Sequence, residues 1–195
     1  MIHIEIREEP LAAIGDYARI PSAFRVERVL RVHAHPTAQS QWSLVEEPCA
    51  APFVKDYDAI PGNHAIDWPT QFDSAHWQVF VAYVRDIRVG GAILIPPVGA
   101  SPSVADDQVS ELWDLRVHPD WQRRGIATAL WKHVESRVTT PLLRVETQQI
   151  NVAACAFYST QGCVLTRVEP FAYPELPNEI RLVWQKVTPR SGRSR

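Results

Sequence analysis

Two short stretches combine residue types and spacings that could do chemistry. The first, Gln122-Arg123-Arg124-Gly125-Ile126-Ala127, stands where a strand pattern gives way to a helix pattern. Successive backbone N–H groups at a helix start, backed by the positive end of the helix dipole, favour an anion. Gly125 lets the backbone approach a ligand closely, Ala127 keeps the first turn uncrowded, and Arg123 or Arg124 can add charge-assisted bonds to phosphate. The chemistry this suits is diphosphate binding. The second stretch runs from Asn151 to Cys163 (NVAACAFYSTQGC), a helix with Asn151 as its N-cap and Gly162 as its stop.

These stretches need elements to hold them. Ile2, Ile4 and Ile6 alternate with polar residues and predict a strand with one buried face, followed by a short helix over 10–19. Apolar patches between Phe24 and Val45 are strand-like but broken by Pro36, Gln39 and Ser40, and 46–75 reads as loop with a helical turn. Residues 78–85 and 89–95 form an antiparallel hairpin across Asp86-Ile87-Arg88, and 111–117 is a further strand. Ile126, Leu130, Val134 and Val138 recur every four residues as one helix face. Strands at 142–147, 164–168 and 180–184 complete the chain. The order predicts an α/β (α+β) fold, a mixed sheet flanked by helices, as one domain over 1–188 with a flexible basic tail at 189–195.

Composition excludes several partners. The 195 residues are 46% hydrophobic with a formal net charge of −2, and no basic stripe precedes the tail, so neither nucleic acid nor membrane is expected as a partner. The N-terminus lacks the apolar run of a signal peptide, and Cys49, Cys155 and Cys163 form no CxxC pair, so a cytoplasmic protein with free thiols is expected. His33 and His35 share a strand face but lack a third ligand, so no metal is expected. Cys155, between Ala154 and Ala156, reads as a small packing residue rather than a nucleophile.

Together, in this order and on these elements, the two stretches resemble the acetyl-CoA-binding motifs of the Gcn5-related N-acetyltransferase (GNAT) family: the Q/R-x-x-G-x-G/A loop and the N-x-x-A-x-x-F-Y-x-x-x-G-F helix. Glu146-Thr147-Gln148-Gln149-Ile150-Asn151-Val152-Ala153-Ala154-Cys155 is similar to a run of the streptothricin acetyltransferase branch, as are Pro52 to Tyr57 and Asn178-Glu179. The resemblance implies a mostly antiparallel twisted sheet in which two parallel strands, fourth and fifth in the family's order, splay apart around acetyl-CoA. It implies that backbone N–H groups of Gln122, Arg123, Arg124, Gly125, Ile126, Ala127 and Thr128 hold the pyrophosphate. Leu115, Arg116 and Val117 would pair through their backbone with the pantetheine arm. Asn151 and Ala154 would contact that arm, and the Tyr158 hydroxyl would lie near the thioester sulfur.

The chemistry explains the residue types. An amine of pKa about 10.4 is charged at pH 7, and reaching its free base costs roughly 4.6 kcal/mol. A base must take that proton, a strand N–H freed by a bulge would meet the charge on the thioester oxygen, and Tyr158 would protonate the leaving sulfur as general acid. Where relatives often carry a strand carboxylate, this chain has Trp113, so Glu111, two residues earlier on the same face, is the candidate base, directly or through water. Cys163 replaces a phenylalanine of the family pattern. The acidic, aromatic segment 53–73 is either the acceptor site or a solvated loop. The expected partner is a small-molecule amine, a homodimer being left open; the alternatives are an acyl-CoA sensor without turnover and a protein amine acetyltransferase.

Overall fold

The computed structural model describes residues 2–35, 41–97 and 108–188. Its elements are β1 (Glu5–Glu9), α1 (Ile14–Tyr17), β2 (Phe24–Ala34), β3 (Trp42–Lys55), α2 (Trp68–Gln71), β4 (Gln78–Val84), β5 (Ile87–Ile95), β6 (Val109–Val117), α3 (Ile126–Arg137), β7 (Leu142–Gln148), α4 (Val152–Thr160), β8 (Val164–Glu169) and β9 (Arg181–Val187). Two compact units divide them: Met1–Phe24, Asp56–Leu143 and Val187–Arg195 form the first, Arg25–Lys55 and Arg144–Lys186 the second. The mixed α+β class, mostly antiparallel and flanked by helices, is as the sequence predicts. The expected tail at 189–195 lies outside the described residues.

In the first unit β1, β4, β5 and β6 pair antiparallel in that order. β4 and β5 are nearly continuous apolar runs because both their faces are covered. Adjacent glycines show how. A Cβ on Gly90 would meet the Arg116 carbonyl at 2.9 Å and Ile126 of α3 at 3.0 Å, while one on Gly91 would come within 2.4 Å of the ring of Tyr17, from α1. Successive strand residues face opposite ways, so α3 covers one face and α1 the other. On the α1 side Ile14, Tyr17, Ala65, Trp68, Trp77, Val79, Val81 and Ile93 form one buried apolar cluster. Gly91→Ala should cost about 2 kcal/mol by displacing the Tyr17 ring, as overpacked cores do, and a thermal melt of the variant would read it. An unshifted midpoint would show that the ring has room to move.

The hairpin is as expected, though its turn is only Arg85-Asp86, both at positive φ (49° and 63°). β1 starts at Glu5, so the predicted buried face does not reach Ile2, which is 39% exposed. The predicted helix over 10–19 is a 3-10 turn running into the four residues of α1.

In the second unit β2 and β3 form a two-stranded sheet, and β7, β9 and β8 pair in that order, β8 antiparallel to β9. The expectation of loop over 46–75 is corrected here: its first ten residues belong to β3. Proline lacks the N–H a strand ladder uses, but a strand in a two-stranded sheet has an open edge where a missing N–H costs nothing, so Pro48 and Pro52 are accommodated. The helical turn expected within that stretch is present at Ala65–Gln71. Val145, Ile150, Cys155, Tyr158, Leu182, Val183 and Trp184 are buried in this unit.

Candidate active site

The turn before α3 is built for close approach from outside. Pro119–Trp121 is a 3-10 turn, Arg123 takes φ 61°, and Gly125 takes φ 85° as the residue that starts α3. Left-handed backbone at two of three successive residues is what turns consecutive N–H groups to one side. Among the described residues no side chain caps α3, and a Cβ built on Gly125 meets no atom within 4 Å. Gln122, Arg123, Arg124 and Gly125 are exposed, whereas Ile126 is buried and anchors the turn to Gly90. The Gln122 side chain reaches back to the Val117 carbonyl at 3.3 Å, and the Arg124 guanidinium lies 5.1 Å from the Trp121 ring. An exposed, uncapped, cationic helix start fits a diphosphate, the group by which the family holds acetyl-CoA.

α4 is capped as predicted: Asn151 Oδ1 accepts from Ala154 N at 3.1 Å. That bond occupies the Ala154 N–H. Gly162, at φ 84°, ends the helix, with its N–H on the Ser159 carbonyl and the Cys163 N–H on the Tyr158 carbonyl, both at 3.0 Å. Tyr158 is therefore fixed in the last turn, only 5% exposed, with its ring 5.3 Å from that of Phe157.

The E-T-Q run before α4 alternates in role. Glu146 and Gln148 are joined through Tyr173, whose hydroxyl donates to Glu146 and accepts from Gln148 Nε2 at 2.7 Å. Burial, then the Glu146 charge, holds this phenol well above its ordinary pKa. Thr147 points inward, where its hydroxyl accepts from Trp184 Nε1 at 2.8 Å and meets Cys155 Sγ at 3.3 Å.

Cys155 is 2% exposed, and burial pushes its thiol up to about 11. It remains protonated at pH 7–8 and is not a nucleophile, as the sequence suggests. Iodoacetamide at pH 8 should label partly exposed Cys49 in the native protein and Cys155 only after unfolding; native labelling of Cys155 would contradict this. His35 Nε2 sits 2.7 Å from Ser43 Oγ, and no group of three metal-binding side chains occurs among the described residues.

β6 departs from simple alternation. Ile93 pairs with Asp114 and Leu94 with Leu112, so Trp113 has no opposite number and forms a β-bulge. Glu111 pairs with Ile95. Directly paired residues share a sheet face, so Glu111, Trp113 and Asp114 all lie on the α1 side, although strict alternation would turn Asp114 away. Trp113 packs against Trp68, Phe72 and Trp77 at centroid distances of 5.9, 4.9 and 5.3 Å. Part of the segment 53–73 is thus an aromatic wall on β6 rather than a solvated loop, with Phe72 43% exposed at its rim.

Beside this wall lies a network that sequence reasoning missed. Arg116, assigned above for its backbone, has a side chain only 5% exposed that donates from Nε to Asp114 Oδ2 at 2.7 Å. Its Nη1 donates to the Ile20 carbonyl at 3.0 Å and to Asp58 Oδ2 at 3.1 Å. Tyr17 donates its hydroxyl to Asp114. Burial opposes the charge on Arg116, but Asp114 first, with Asp58 behind it, outweighs burial and raises its pKa. The Asp114-x-Arg116 spacing was a visible signal, but its partners lie 58 and 96 residues away in sequence.

The class of protein is set by the fold and this pair of motifs: residues 41–163 match the acetyltransferase (GNAT) family, and the chain belongs to it. It is an acetyl-CoA-dependent N-acetyltransferase. Streptothricin acetyltransferase A of Bacillus subtilis (strain 168) is 34% identical over 148 residues, covering 73% of this chain and 78% of that protein. The fold is similar to nourseothricin acetyltransferase (TM-score 0.72, 19% identity, 95% of this chain and 99% of that one). It is equally similar to a Bacillus anthracis (strain Ames) protein assigned to the streptothricin acetyltransferases and solved with acetyl coenzyme A (TM-score 0.74, 19% identity, the same coverage). No described helix is long and apolar enough to cross a membrane.

Proposed function

We propose that this enzyme transfers the acetyl group of acetyl-CoA to a primary amine of a small molecule, by direct attack in a ternary complex, and that a streptothricin-like antibiotic amine is the acceptor class. The observation that carries this reading is the 34% identity with streptothricin acetyltransferase A over 73% of the chain. Acetyl-CoA supplies an activated acetyl thioester. The N–H groups from Gln122 to Thr128 hold its diphosphate, and the backbone of Leu115, Arg116 and Val117 together with Asn151 guides the arm.

The remaining roles are proton and charge management. Glu111 takes the proton of the acceptor ammonium, directly or through water, which frees the nitrogen lone pair to form the C–N bond. The backbone N–H at the Trp113 bulge meets the negative charge developing on the thioester oxygen. Tyr158 gives its hydroxyl proton to the departing sulfur as the C–S bond breaks, and is reprotonated through solvent as the acylated nitrogen releases its second proton. Phe72, 43% exposed, and half-buried Trp113 line the acceptor side and suit a cationic amine, with buried Trp68 and Trp77 packed behind them.

Release of free coenzyme A, followed with a thiol reagent across a panel of amines that includes a streptothricin, tests the reading. Turnover on the antibiotic amine is the expected result. Stoichiometric acetyl-CoA binding without turnover on any small amine would overturn it and favour a sensor; turnover only on peptide amines would move the acceptor to proteins.

A further inference from the structure

We infer that Arg116 is a positioning residue: its guanidinium fixes the β6 backbone at the Trp113 bulge and thereby aims the N–H that the reaction uses. The inference rests on the function proposed above. A bulge leaves its extra residue outside the strand ladder, so something other than β5 must set that residue's orientation. Asp114 is the next residue, and Arg116 holds its carboxylate through Nε at 2.7 Å and Nη2 at 3.4 Å. The other side of the same guanidinium reaches the Ile20 carbonyl, following α1, and both oxygens of Asp58 at 3.2 and 3.1 Å. Asp58 is itself tied to Ser22: the Ser22 N–H donates to its carboxylate at 3.2 Å, and its own N–H donates to Ser22 Oγ at 3.0 Å. Tyr17, whose ring fits only because Gly91 has no Cβ, donates to Asp114 Oδ2, the same oxygen that Arg116 Nε reaches.

One planar fork thus joins three chain segments beside the bulge. Lysine would supply the charge without the fork, since an ammonium is a point donor on a flexible stem. Two carboxylates share the single guanidinium, which exceeds what neutralising a buried charge requires. Replacing a buried ion network by apolar groups often leaves stability unchanged or improves it, so its geometry rather than its energy is the property to test.

The test uses the full-length protein as Arg116→Lys and Tyr17→Phe, the second keeping the ring on Gly91. Arg116→Lys should lower kcat at least about tenfold, the scale on which small misplacements act, with the acetyl-CoA Kd within about threefold of wild type. In the protein without substrate, amide hydrogen exchange at Trp113 and Asp114 should accelerate while Val79 to Val81 in β4 keep their protection. Tyr17→Phe should move both readouts the same way by less, and decides the matter if Arg116→Lys does not fold. Wild-type kcat in both variants, or a loss of kcat that follows the melting temperature with exchange at the bulge unchanged, overturns the inference. Wild-type protein that neither binds acetyl-CoA nor acetylates any amine defeats the functional reading instead, and the exchange result then still reports on the clamp.

Discussion

Gly125→Val should weaken acetyl-CoA binding by at least about a hundredfold while the protein still folds. The native φ of 85° is one that β-branched residues avoid, at a cost on the order of 1–3 kcal/mol. Yet a Cβ there meets no protein atom within 4 Å, so no core packing is lost. The methyl groups would stand in front of the uncapped N terminus of α3, in the space assigned to the diphosphate. Losing two charge-assisted bonds of about 1.5–3 kcal/mol each is enough for the hundredfold effect. Calorimetric titration with acetyl-CoA, on a variant whose circular dichroism matches wild type, measures it. Tight binding by the folded variant would refute the assignment of the turn.

Tyr158→Phe acts on the rate and not on the grip. General acids contribute roughly 10²–10⁴ in rate, so removing this hydroxyl should lower kcat about a hundredfold. The ring is 5% exposed, and phenylalanine keeps its apolar packing at the end of α4, so acetyl-CoA affinity should stay within about twofold. Such a split between kcat and Kd marks an interaction made in the transition state. Release of coenzyme A at saturating substrates measures it, and turnover equal to wild type would remove Tyr158 from the mechanism.

How far the site could be read without coordinates depended on how local each feature is. Gly125, Asn151 and Gly162 do their work within a few residues of themselves, and their types are nearly diagnostic of a left-handed turn, a cap and a helix stop. Each is found where the spacing puts it. The loop expected over 46–55 failed because Pro48 and Pro52 are breakers only where a neighbouring strand needs their N–H, and strand number is not a local property. A bulge was expected, but its place at Trp113 was not legible for a related reason: a strand of one sequence can hold the same side chains with or without an extra residue, and the pairing with β5 decides.

By itself, then, the order of residues determined the family through the resemblance of its motifs, the α+β class through its patterning, and the left-handed turn at Gly125 and the Asn151 cap through short-range backbone geometry. Tertiary structure alone decided that Asp114 joins Glu111 and Trp113 on one face, that Gly91 makes room for Tyr17, and that Arg116 is held between Asp114 and Asp58. The physical reason is range. Caps and turns are fixed by bonds spanning a few residues, whereas a strand's face and a buried ion's partners are fixed by groups brought together from across the chain.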